Sequence, residues 1–141
     1  MRKRTKAREC ALKVLYQKEM TKEDAASSLS KYWQTNPEAE ESVKEFAGLL
    51  VTGVEKNGGE IDETISRHAT NWQIGRMAVI DRNILRIAAY EILFLDDIPP
   101  KVSINEAVDI AKKYGDKDSG KFVNGILDKI SKVKSVQVKG E

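Results

Sequence analysis

Arg4, Arg8, Leu12 and Tyr16 stand four residues apart, so on a helix they fall along one slowly drifting stripe that joins two cations to an aromatic ring. Guanidinium groups track phosphates, and a flat ring offers a base a stacking surface worth about 1–3 kcal/mol, the combination that binds single-stranded RNA. Arg2, Lys3 and Lys6 extend the positive end, and no acid occurs among the first eight residues. The same spacing also suits a ring at the edge of a core with solvated arginines beside it, and this helix alone does not choose. Lys121 and Phe122 make a second basic and aromatic pair where a last helix should begin, a place whose free backbone N–H groups favour phosphate.

Other chemistry lacks its parts. Gly115-Asp-Lys-Asp-Ser-Gly120-Lys121-Phe122 copies the spacing of a phosphate-binding P-loop, yet Phe122 replaces the hydroxyl that would hold magnesium. It also follows a helix rather than a strand, and Asp116 and Asp118 would repel phosphates, so no nucleotide cofactor is expected. One cysteine, Cys10, and one histidine, His68, cannot supply the ligands of structural zinc or a disulfide, and Cys10 fits a packed core position. Carboxylates are plentiful without a matched acid and base, and no nucleophile set is visible, so the expectation is a binding protein with neither metal nor catalysis. A net charge of +2 hides a basic N-terminus beside an acidic middle, where residues 36 to 63 carry eight acids against Lys44 and Lys56.

The elements that position these residues are helices throughout. Apolar residues recur at spacings of three and four, and no stretch alternates long enough for a strand, so the class is all-α with about seven helices. The first runs from about Thr5 to Lys18. Thr21 with Asp24 resembles a capping box opening the second, which Asn36-Pro37 ends while starting the third. Val43, Phe46, Ala47, Leu50, Val51 and Val54 give the third its apolar stripe, closed by Asn57-Gly58-Gly59. The fourth, through Ile61, Ile65, Ala69 and Trp72, should end near Gly75. The fifth, from Met77 to Leu95, is apolar on most sides and should be the most buried, stopped by Pro99-Pro100. Ser103-Ile-Asn-Glu106 is a capping-box pattern with Val102 as its staple, opening a sixth helix to about Tyr114. Asp118 or Ser119 caps a seventh through Val133, and a disordered tail is expected over 134–141. The double glycine suggests a boundary between two halves, about 1–57 and 60–133. No apolar run approaches the roughly 20 residues of a membrane helix, and no signal peptide opens the chain, so a cytoplasmic protein is expected.

Four separated blocks resemble the NusB family, in order and with its spacing: Lys6-Ala-Arg-Glu-Cys-Ala-Leu-Lys-Val-Leu-Tyr-Gln17, Arg82-Asn-Ile-Leu-Arg-Ile-Ala-Ala-Tyr-Glu91, Val102-Ser-Ile-Asn-Glu-Ala107 and Ser119-Gly-Lys-Phe-Val-Asn-Gly-Ile-Leu-Asp128. The likeness covers about residues 4 to 131. It implies two small helical bundles packed across each other, and a transcription antitermination factor that binds the boxA element of ribosomal RNA transcripts with the small-subunit ribosomal protein NusE, helping RNA polymerase resist termination. By that resemblance the RNA face includes the basic N-terminus, Arg8, Tyr16, Asp118, Lys121 and Phe122. The protein partner would lie along Arg76, Asp81, Arg82 and Arg86, with Arg86 equally readable as a structural ion-pair residue. Asn83, where the family more often has Ala, and the stretch Ser27 to Asn36 depart from the pattern. A helical adaptor that ignores RNA, like the similar domains fused to RNA methyltransferases, is the competing reading.

Overall fold

The apolar stripes become the packing faces of seven α-helices. In the computed structural model, which describes residues 2–140 and side chains as far as Lys134, these are α1 (Lys3–Thr21), α2 (Ala25–Thr35), α3 (Glu41–Lys56), α4 (Gly58–His68), α5 (Val79–Phe94), α6 (Pro100–Tyr114) and α7 (Ser119–Gly140). A 3-10 turn at Ile74–Arg76 interrupts the loop before α5, and the described residues contain no strand. Apart from Lys134, the tail expected to be disordered has side chains outside the described residues.

Helix α1 packs on α2, α3 and α5, while α5, α6 and α7 pack on one another, and α4 rests on α5 and α7. One continuous cluster of buried side chains runs through all of them. The fifth helix is the central one, with ten buried positions that include Asp81, Asn83 and Glu91. Enclosure of α1 is just as tight in its first half, where every residue from Ala7 to Leu12 is buried. A helix surrounded on all sides hides its polar residues too, and those must then find partners. Where α3 meets α5, Gly53 receives the Tyr90 ring so closely that a Cβ there would lie 2.1 Å from Tyr90 Cζ.

The helix ends differ from the expected ones, for local reasons. α1 continues through Thr21 and stops on Lys22 in the left-handed region at φ 61°, so the cap of α2 is Asp24, whose carboxylate accepts from the Ser27 N–H at 2.8 Å. Asn36 does not open α3. It closes α2 by donating from Nδ2 to the Tyr32 carbonyl, and α3 starts at Glu41. Gly58 and Gly59 begin α4 instead of merely ending α3, and α4 stops at His68, leaving Trp72 in a loop. α6 starts at Pro100, a favoured residue for the first turn, which places Ser103 and Glu106 inside the helix and leaves Val102 exposed, so neither the box nor the staple forms.

Candidate nucleic-acid interface

The middle of the stripe Arg4, Arg8, Leu12, Tyr16 is buried and its ends are open. Arg8 is 3% exposed. Its Nε and Nη2 donate to the two carboxylate oxygens of Glu91 at 2.8 Å each, and its Nη1 lies 3.5 Å from Glu106. Ser103 Oγ donates to Glu91 at 2.7 Å and Thr5 Oγ1 to Glu106 at 2.8 Å, which satisfies much of what the two buried acids can accept. Arg8, expected on the RNA face, has its guanidinium enclosed by α5 and α6, where it ties α1 to both. Glu106, expected as a capping acid, is part of this network.

The other N-terminal cations remain at the surface. Arg2 precedes α1 and is exposed, as is Lys6. Lys3 pairs with Glu40 at 3.0 Å, but both side chains are more than half exposed, so the pair opens at little cost. Arg4 lies over the Phe46 ring, 4.6 Å from its centroid. Tyr16 sits at the other end of the stripe, roughly 18 Å along the axis from Arg4 at 1.5 Å per residue, and is 39% exposed.

Asp118, Lys121 and Phe122 cluster where α7 begins. Asp118 accepts the Phe122 N–H at 3.0 Å through its carbonyl, while its own N–H donates to Asp116 Oδ1 at 2.8 Å, so the helix start is internally braced. The Phe122 ring is half-buried and lines a hollow of about 270 Å³ together with Trp72, Met77, Ala78, Asp81, Asp116, Asp118 and Ser119. The second half of α1 comes to this end of the molecule through one chain of contacts. Glu19, a turn beyond Tyr16, accepts from Arg82 at 2.6 and 2.9 Å, and Arg82 Nη1 donates to the carbonyl of Met77 in the hollow's lining at 2.8 Å.

Arg82 and Arg86, named above for a protein partner, are thus engaged within the chain. Arg86 donates to Asp62 at 2.9 and 3.2 Å, to Glu19 at 3.0 Å and to Asn83 Oδ1 at 3.1 Å. Of its two readings, the ion-pair one is what the geometry displays. The Arg82 hydrogen bond, with help from Arg86 and against the opposing effect of burial, holds the Glu19 carboxyl below its usual range. Burial works against the Arg86 charge, yet Asp62 and Glu19 outweigh it and push its pKa up. Asp81 is 8% exposed, its Oδ1 has no partner, and burial raises its carboxyl above the usual range. Arg76, at the end of the 3-10 turn, is exposed.

Several residues at this surface went unread in the sequence. Trp72 is 54% exposed and meets Phe122 edge-on, centroids 5.9 Å apart and planes at 79°. Counting it as the last apolar residue of α4 hid it, although an apolar ring just past a helix end was the available signal. Lys13 and Lys113 flank the Tyr114 ring at 5.8 and 5.3 Å, and Lys113 pairs with Glu9 at 3.0 Å. Lys13 lies seven residues after Lys6 and three before Tyr16, a spacing that places all three along the outer side of α1. No three His, Cys, Asp or Glu side chains among the described residues are grouped to hold a metal ion.

The family model for the NusB family matches residues 5–132. The chain is 49% identical over 137 residues to the transcription antitermination protein NusB of Desulfitobacterium hafniense, covering 96% of this chain and 90% of that one. It superposes on the structure of T. maritima NusB with a TM-score of 0.84 at 43% identity, over 92% of this chain and 90% of the other. The NusB structure solved with NusE in complex with double-stranded RNA gives 0.85 at 33% identity, over 94% and 98%. All-helical architecture, ordered sequence blocks and near-complete coverage agree, and the chain belongs to the NusB family.

Proposed function

We propose that the chain is a transcription antitermination factor that acts as a non-catalytic adaptor in the cytoplasm, binding boxA-type single-stranded RNA of ribosomal RNA transcripts together with ribosomal protein NusE. The observation that carries this reading is the pairing of open cations with open rings. Arg2, Lys3, Arg4 and Lys6 surround the start of α1, Tyr16 stands at its far end, and Lys121 and Phe122 sit beside Asp118 on α7. Cations along such a path neutralise phosphates, and half-exposed rings receive bases. The similar NusB solved with NusE and RNA supports the choice of partners. For the protein partner, Arg76 presents an open guanidinium, while Arg82 and Arg86 shape that surface through their bonds to Glu19 and Asp62. Arg8 serves this face from beneath, by fixing α1 on α5 and α6.

The test is a titration of boxA-like RNA, single-stranded and as a duplex, with and without NusE, across a range of salt. Single-strand affinity should fall with salt at a log-log slope near −0.7 for each phosphate contacted. A flat salt response in both the free and NusE-bound states would favour an adaptor that ignores RNA.

A further inference from the structure

Helix α1 outruns the core that holds it. Its buried residues end at Leu15, and no residue from Tyr16 to Thr21 is buried. Open space borders this stretch on two sides: Gln17 and Thr21 line a hollow of about 220 Å³ facing α2, and Lys18 and Glu19 one of about 240 Å³ facing α3, α4 and α5. What fastens the stretch is polar. The Glu19 carboxylate accepts two hydrogen bonds from Arg82, at 2.6 and 2.9 Å, and one from Arg86 at 3.0 Å. Lys18, 3.4 Å from Glu55, adds a longer and more open contact. A guanidinium bonded through two nitrogens fixes orientation as well as distance, so Tyr16, a turn before Glu19, stands where that bond puts it. Arg82 also reaches the other way. Its Nη1 donates to the Met77 carbonyl at 2.8 Å, beside the open Arg76, and the planar group moves as one piece. A shift of the Met77 carbonyl is thereby passed to Glu19 and to the turn that carries Tyr16.

We infer that Glu19 is a positioning residue for RNA binding: through Arg82 it locks the Tyr16 turn of α1 to the Arg76–Met77 segment, so that a protein partner seated on that segment raises RNA affinity through Tyr16. This rests on the reading above, in which RNA and NusE are bound together, and assigns the link between the two. The sign of its effect sets it apart from simple electrostatics. An acid near a polyanion weakens binding by charge alone, so neutralising Glu19 would strengthen RNA binding if charge were its whole role. Lost position predicts the opposite.

Affinity for a fluorescently labelled boxA-like single strand is measured without NusE and with NusE at saturation, and the ratio of the two is the coupling. In the parent, NusE should tighten RNA binding about 5-fold or more. Glu19→Gln should bring that ratio down to about twofold or less, with the helical circular-dichroism signal retained. Arg82→Lys keeps the charge but cannot hold Glu19 and the Met77 carbonyl together, and it should do the same. Two double substitutions separate position from general stability. Added to Tyr16→Ala, Glu19→Gln should change RNA affinity in the NusE-bound state by less than about twofold, whereas added to Lys121→Gln its effect should multiply. Coupling that survives Glu19→Gln, or a loss that multiplies with that of Tyr16→Ala, would overturn the inference and leave the proposed function standing. RNA binding by the parent that NusE leaves unchanged would overturn it equally. Absence of salt-dependent RNA binding by the parent in both states would remove both.

Discussion

Arg8 and Glu91 are 83 positions apart in sequence and bond through two parallel N–H to oxygen contacts of 2.8 Å, both side chains almost wholly enclosed. Removing one member of such a pair leaves a buried charge without its counterpart, at a cost of about 3–5 kcal/mol. Arg8→Met and Glu91→Met should each lose stability on that scale in denaturant unfolding. The double substitution should recover a large part of the loss, because two apolar side chains leave no orphaned ion between α1 and α5. A destabilisation below about 0.5 kcal/mol for Arg8→Met, with RNA affinity reduced, would return Arg8 to the binding surface.

The Glu19 bridge to Arg82 and Arg86 sets a pH dependence. Its carboxyl titrates lower in the fold than its ordinary value of 4.5, chiefly through the Arg82 hydrogen bond. The contribution to stability is therefore complete above the unfolded value and disappears as pH falls through the lower folded one. Glu19→Gln should reduce the melting temperature at pH 7, and the difference from the parent should shrink as the medium is acidified below pH 4. A difference that grew on acidification would contradict the assigned direction.

Tyr16→Ala should leave the fold intact, since the ring is well exposed, and weaken RNA binding by about 1–3 kcal/mol if a base stacks there. Phe122→Ala should weaken it on the same scale and, being half-buried, should also lower the melting temperature. Lys121→Gln should flatten the salt slope by about 0.7, the signature of one lost phosphate contact. Unchanged affinity and slope in these variants would move the RNA elsewhere on the molecule.

Two glycines of α3 should respond oppositely to alanine. At Gly53 the new methyl would strike the Tyr90 ring, which is held by burial and by stacking on Phe94 with centroids 5.5 Å apart, so a loss of about 1–3 kcal/mol is expected. Gly48 has open space at the same atom, and there alanine should stabilise by about 0.5–1 kcal/mol through helix propensity. Thermal melts of both variants provide the comparison.

Periodicity made the helices legible, because burying an apolar stripe is a local pattern with a global cause. Their ends were less so. Thr21 and Asp24 both look like caps, and only the left-handed turn at Lys22 decides for Asp24. Pro100 could stop one helix or start the next, and starting the next turned an apparent capping box into helix interior. The open ring of Tyr16 and the half-buried ring of Phe122 were singled out by spacing and family likeness together. The enclosure of Arg8 was not legible, because its exposure depends on Glu91 and Glu106, residues whose position only tertiary packing determines. Trp72 was concealed by the same apolarity that suggested a core place for it.

The order in which the chain is synthesised gives the enclosed first helix a particular history. Thr5, Arg8 and Glu9 have their partners at Glu106, Glu91, Lys113 and Tyr114, all downstream by more than eighty positions. While the ribosome is still making the early helices, those polar groups can be satisfied only by water, so α1 cannot settle into its final seat until α6 has emerged. The segment made first is thus among the last to lock, and a nascent chain stalled before α6 would keep it open to solvent.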